Sequence, residues 1–364
     1  MPEIRVEKLK KSINKKVLID DVSLEIPDRS LYCILGPTGS GKTILMRILA
    51  GLEIPDEGKV FFDGKDVTML EPDKRGVSIV FQNFALYPHL TAFENIASPL
   101  RAKKVPTDEV RKRVEEVAEF LKIGHRLTHY PDKLSGGEQQ RVAIARALVK
   151  DSDVILLDQP LSRLDYKIRE EMRGELYRIQ KHFGKNIILI GSDPLDAMSL
   201  ADIIAFIDMG KIIQVGTREE LYEKPANVLI GRYFGVVEMN ILEPEEIIFN
   251  EGSTVLQFKS FKFELPISLS GVTGKIKIGI RPEHINLREL SGPSKVNFKG
   301  KVILTEIVGS ETIFHLDIGL SEPLKVHLPV IFRKEIGSEV MVGIDSASIY
   351  IFSHEGLFIS RGRE

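Results

Sequence analysis

Eight residues constrain this chain more than any others: Gly36-Pro37-Thr38-Gly39-Ser40-Gly41-Lys42-Thr43. They fit the pattern G-x-x-x-x-G-K-S/T. The apolar run Leu31–Leu35 precedes them, and a helix-like segment, Thr43–Ala50, follows and stops at Gly51. Each residue type has a chemical reason. Glycines let backbone N–H groups curl around phosphate oxygens, where a Cβ would block the approach. A helix that starts beside Lys42 aims its positive dipole end at an anion. Lys42 is expected to reach the β- and γ-phosphates of a nucleotide, and the Thr43 hydroxyl to hold Mg²⁺. Strand, loop and helix in this order imply a parallel α/β sheet around the loop.

The surrounding pattern agrees. Short apolar runs at Gly58–Phe62, Val77–Phe81, Val154–Leu157, Asn186–Ile190, Ile203–Ile207 and Ile212–Val215 read as strands. Helical spacing appears over Thr107–Leu121, Glu138–Leu148 and Ile168–His182. After about residue 235 the texture changes to short alternating segments: Val255–Phe263, Lys275–Ile280, Lys301–Val308, Thr312–Ile318, Val340–Ile344 and Ser348–Phe352. Turn-rich clusters at Gly271–Gly274 and Ser291–Ser294 separate several of them. This is the pattern of a small all-β barrel. Two domains are expected, 1–235 and 236–364, which suits a chain of 364 residues.

Composition adds exclusions. Fifty Lys+Arg against 52 Asp+Glu leave a net charge of −2, which argues against a polycationic nucleic-acid binder. No run approaches the roughly 18 apolar residues of a membrane helix, and the N-terminal segment lacks a signal-peptide core. Cys33 is the single cysteine, so no internal disulfide and no Cys-rich metal site are expected. Phe258, Phe261 and Phe263 interleave with Lys259 and Lys262, which could suit a nucleic-acid groove. A strand with one face in the core and solvated lysines opposite is the preferred reading.

A second motif lies at Val154-Ile155-Leu156-Leu157-Asp158, an apolar strand ending in an acid. Asp158 is expected to serve Mg²⁺. The next residue is Gln159, whose amide can orient water but cannot take its proton. Then Leu134-Ser135-Gly136-Gly137-Glu138-Gln139-Gln140-Arg141 precedes a helix, and Ser135 with the following amides could form another anion site.

Together these motifs resemble the ATP-binding subunit of ATP-binding-cassette (ABC) transporters, with residues 134–141 matching that family's signature. The resemblance implies an α/β P-loop NTPase domain. It also implies that Ser135, Gly136, Gly137, Glu138 and Gln139 cap the nucleotide held by a second subunit, so dimerisation is expected. Gln82 matches the loop glutamine that contacts Mg²⁺ or water, and Asp165, in Ser162-Arg163-Leu164-Asp165, matches the loop that crosses between subunits. Ile13 stands where the family places an adenine-stacking aromatic. Residues 236–364 resemble the OB-type (TOBE) regulatory domain of the maltose and multiple-sugar importer group, through Ile278–His284 and Gly300–Thr312.

Four departures are visible. Gln159 replaces the catalytic glutamate, Ser192 replaces the switch histidine, Ile13 replaces the aromatic, and Arg163 occupies a position usually small or polar. Serine cannot carry the charge a histidine shares with a γ-phosphate. Two missing parts suggest a naturally weakened site. The resemblance then implies an ATP- and Mg²⁺-binding subunit of a sugar-type importer, peripheral on the cytoplasmic face of the membrane. It would pair with a distinct ATPase subunit, dock on transmembrane permease subunits and serve a solute-binding protein indirectly. No nucleic-acid partner is expected. One alternative is an ordinary homodimer into which Gln159 was introduced to stall hydrolysis. Another is a regulatory protein whose barrel grips nucleic acid, and ATPases of DNA repair share the two motifs but need inserts absent here.

Overall fold

A computed structural model describes residues 2–269, 274–292 and 295–362. The chain forms two compact units, Met1–Arg218 and Glu219–Glu364. The composition change near 235 therefore falls inside the second unit. The intervening residues go with the barrel because its buried Arg281 hydrogen-bonds the backbone carbonyls of Tyr222 and Phe234.

In the first unit the strands are β1 Ile4–Ile13, β2 Lys16–Ile26, β3 Leu31–Leu35, β4 Glu57–Phe62, β5 Lys65–Asp66, β6 Val77–Val80, β7 Val154–Asp158, β8 Asn186–Gly191, β9 Ile203–Asp208 and β10 Lys211–Gly216. The helices are α1 Lys42–Ala50, α2 Ala92–Ala102, α3 Thr107–Phe120, α4 Gly136–Leu148, α5 Tyr166–Phe183 and α6 Pro194–Leu200. The main sheet runs β10-β9-β3-β8-β7-β6, parallel from β9 to β6. Its central strands β3, β7 and β8 are almost continuously buried apolar residues, as a sheet covered on both faces requires. A second, antiparallel sheet runs β2-β1-β4-β5. Helix α1 lies in the core these two sheets share, through Leu45, Met46, Ile48 and Leu49.

The long hairpin β1–β2 was not expected as strands. Its alternation slips where Lys8 adopts φ 47, and register shifts follow between Val6 and Leu9. Helix α4 starts two residues before the expected Glu138, because Ser135 supplies its N-cap.

The second unit adds α7 Arg218–Glu223 (whose first residue ends the first unit), α8 Val228–Tyr233 and three antiparallel sheets. The largest joins the long strand Lys295–Val308 to Glu311–Asp317 and Glu339–Asp345. Val255–Phe263 is not one strand. Ser253–Gln257 and Lys262–Leu265 form a hairpin closed by Phe258 N–H to Phe261 O at 2.9 Å. Phe258, Phe261 and Phe263 are buried in the barrel core, so they offer no stacking face to a nucleic acid. The turn clusters expected at Gly271–Gly274 and Ser291–Ser294 lie outside the described residues at 271–273 and 293–294. Among the described residues, no helix is long and apolar enough to cross a membrane.

Candidate functional site

The loop 36–43 leaves the C-terminal end of β3, in the middle of the parallel sheet, and runs into α1. Two of its glycines are needed sterically. A Cβ on Gly36 would lie 2.0 Å from the Ile207 carbonyl oxygen. Gly41 has φ 104, and a Cβ there would lie 2.4 Å from the Leu18 oxygen. Gly41 caps α1 without a side-chain hydrogen bond, and no acid sits in the helix's first turn. The α1 amides therefore keep their donor capacity for an anion. Thr38, Gly39 and Thr43 are exposed along the loop, and Ser40 is buried. Lys42 is also buried, and its Nζ donates to Gly36 O (2.8 Å), Pro37 O (2.7 Å) and Ser40 Oγ (3.3 Å).

Asp158 ends β7, and its charge acts on Lys42. Burial holds the Lys42 ammonium below its ordinary range, against the pull of Asp158. Burial likewise pushes the Asp158 carboxyl above its ordinary range, with Lys42 opposing. A partly buried carboxylate beside a loop of amides and a lysine is a place where cation and phosphate stabilise each other.

Gln159 sits in a left-handed backbone conformation, φ 46, and its N–H donates to Ile190 O at 2.8 Å. Gln82 Nε2 donates to Gln159 Oε1 (3.0 Å) and Ser162 Oγ (3.3 Å). Gln159 and Ser192 line one cavity of about 180 Å³ together with Cys33, Ser162, Arg169 and Asp196. Gln159 and Ser192 thus stand in one place, and Arg169 there pairs with Asp193 at 3.1 Å. That ion pair was not visible in the sequence, because α5 and the turn before α6 meet only in the fold.

The signature loop is built separately on α4. Ser135 and Glu138 form a reciprocal cap: Ser135 N–H donates to Glu138 Oε2 (2.8 Å), and Glu138 N–H to Ser135 Oγ (3.4 Å). Arg126 Nε holds the same carboxylate at 2.6 Å. Burial pushes Glu138 up, but the Ser135 amide and Arg126 outweigh it, so its pKa lies below the ordinary range. Gln139 turns back, its Nε2 donating to Pro131 O (2.9 Å) and Leu134 O (3.2 Å). In this structure, then, Glu138 and Gln139 fasten the loop, while exposed Ser135 and Gly136 face outward. Asp165 caps α5 by accepting from Ile168 N–H at 3.1 Å. Ile13 is exposed at the end of β1, and the partner strand β2 lies against Gly41 at Leu18 and Ile19. Among the described residues, no hydrogen bond or ion pair joins residues 135–139 to the loop 36–43.

Comparison with known proteins follows this geometry. The ABC transporter family pattern matches residues 19–162, and the TOBE domain pattern matches residues 278–352. A glucose import ATP-binding protein of Saccharolobus solfataricus is 40% identical over 320 residues, covering 82% of this chain and 88% of that one. A trehalose/maltose import ATP-binding protein of Thermococcus litoralis is 36% identical, covering 97% and 98%. A solved dimeric ATP-binding cassette, in a post-hydrolysis state with ADP and Pi, matches 59% of this chain and 98% of its own, with 31% identity and TM-score 0.54. With its loop, its signature and its barrel each in place, this chain belongs to the ATP-binding subunits of import-type ABC transporters that carry a C-terminal TOBE domain.

Proposed function

We propose that this chain couples ATP to the import of a small solute of the sugar class, and that its own loop site holds ATP without cleaving it efficiently. The names of the similar importers support the solute class. The observation that carries the weakened-site reading is the contact of Gln82 with Gln159 at 3.0 Å. The residue at the base position is an amide, and its oxygen is already taken as an acceptor. It can orient a water but removes no proton, so general-base assistance of about 10²–10⁴-fold is missing. Ser192, in the same cavity, offers a hydroxyl where a histidine would share charge.

The loop amides and Lys42 grip the phosphates, and Ser40 orients Lys42. Thr43, Asp158 and the free carbonyl oxygen of Gln82 are the hard oxygen donors that would hold Mg²⁺, and their chemistry fits that ion. Bound there, Mg²⁺ supplies neutralisation of phosphate charge. Ser135 and Gly136, exposed on α4, supply an intact second half for a nucleotide on another subunit. The partner that suits this chain is a distinct ATPase subunit with its glutamate and histidine present and its signature damaged. With both loops and both signatures present, two copies of this chain are also able to close on ATP without turning it over. The pair would dock on permease subunits at the cytoplasmic membrane face.

Purified chain in Mg-ATP should bind nucleotide and hydrolyse it slowly. Gln159→Glu with Ser192→His should raise turnover by about 10²-fold or more. Robust turnover by the unaltered chain would sink the weakened-site reading and leave the importer reading standing.

A further inference from the structure

Helices α4 and α5 start side by side and meet at two levels. At the first turn, Gly137 comes so close to α5 that a Cβ would lie 2.8 Å from Ile168 Cγ2. One turn further on, Arg141 Nη1 reaches Glu175 Oε1 on α5 at 3.1 Å. Residues 137 and 141 share a face of α4, and 168 and 175 share a face of α5, so both contacts belong to one seam. Arg141 Nη1 also donates to Leu121 O, just past the end of α3, at 3.0 Å. The pair is withdrawn from water, with side chains 15% and 8% exposed. Its second acceptor, Glu175 Oε2, is buried without a hydrogen-bond partner. A buried pair of this kind serves position more than stability, because its desolvation offsets its attraction.

What the seam holds is specific. The N-terminal end of α4 carries the exposed Ser135, and the N-terminal end of α5 carries the exposed Asp165. We infer that Arg141 and Glu175 are positioning residues that set the signature loop at a fixed distance from the Asp165 loop, so that both reach a nucleotide on a second subunit together. This inference rests on the reading above that two copies of this chain close on ATP, the Ser135 of each meeting the other copy's nucleotide. Neither residue belongs to the loop 36–43, so ATP binding by a single chain should not depend on them.

The experiment is ATP-dependent self-association, measured by sedimentation, beside ATP affinity of the dilute chain and a thermal melt. Arg141→Met alone strands a buried carboxylate and could fail to fold, so the decisive variant is Arg141→Met with Glu175→Leu, which replaces the pair by apolar groups of similar bulk. This double variant should keep its melting temperature and its single-chain ATP affinity, while pairing in ATP weakens about tenfold. Arg141→Lys should fall between, since a lysine keeps the charge and loses the planar fork whose Nη1 serves Glu175 and Leu121 while its Nη2 faces Glu171 at 3.8 Å. Undiminished pairing of the double variant would overturn the positioning role. An unaltered chain that stays monomeric in saturating ATP would instead overturn the reading that two copies of this chain close on ATP, and this inference with it.

Discussion

Gly41 carries two constraints at once, a positive φ of 104 and a Leu18 oxygen 2.4 Å from where a Cβ would stand. Gly41→Ala should therefore cost about 1–3 kcal/mol of stability and weaken nucleotide binding, read by thermal melts with and without ATP. Asp158 shows the opposite balance. Its folded pKa is raised, so the folded chain binds that proton more tightly than the unfolded chain does. Stability from this group is present at low pH and is lost as pH rises through the raised pKa. Asp158→Asn should thus stabilise the neutral-pH protein by about 0.5–2 kcal/mol while impairing Mg²⁺-dependent ATP binding, the usual trade at a functional site. The stability gain should shrink as the pH of the melt is lowered. A gain that grows with acid would contradict the assignment of burial as the cause.

At the scale of the element, the start of α4 is a helix cap, and it is the edge proposed above to meet a nucleotide. Ser135→Ala removes the acceptor for Glu138 N–H and should cost about 1 kcal/mol. Glu138 has its pKa lowered by its partners, so its contribution is present above the ordinary carboxylate pKa and is lost as pH falls through the folded value. The difference in melting temperature between the unaltered chain and Glu138→Gln should accordingly be largest near neutrality and vanish in acid. The sequence Ser-Gly-Gly-Glu made the cap legible, since Ser135 and Glu138 stand at the capping-box spacing. It did not reveal that Glu138 and Gln139 spend their side chains on Arg126, Pro131 and Leu134, because those contacts depend on how the loop before α4 folds back. The alternation of Val255–Phe263 suggested one strand because each arm alternates by itself, burying Leu256 and Phe258 on one and Phe261 and Phe263 on the other, and the turn shows only as the change of phase between Phe258 and Phe261.

For the whole molecule, each unit has its own core, one around α1 and the main sheet and one inside the barrel. Only the first contains the loop 36–43. Calorimetry of the full chain should show ATP raising the stability of the unit that holds the loop, by about 2.7 kcal/mol at a hundredfold excess over Kd. The melting of the barrel core should not move. Equal shifts in both units would mean that they unfold as one cooperative body.

The sequence by itself determined what depends on neighbours in the chain. The glycines, Lys42 and Thr43 of the loop, the strand ending at Asp158, the cap at Ser135 and the identities of Gln159 and Ser192 are all local features, in which backbone freedom and side-chain chemistry act within a few residues. Only the tertiary structure decided which of them meet. Gln82 touches Gln159 from 77 residues away because β6 and β7 are adjacent in the sheet. Lys42 feels Asp158, Gln159 shares a cavity with Ser192, and Arg141 finds Glu175 because the strand order β10-β9-β3-β8-β7-β6 brings those chain ends and helices together. That order is set by how apolar faces cover one another across the whole core. No short stretch of sequence carries it.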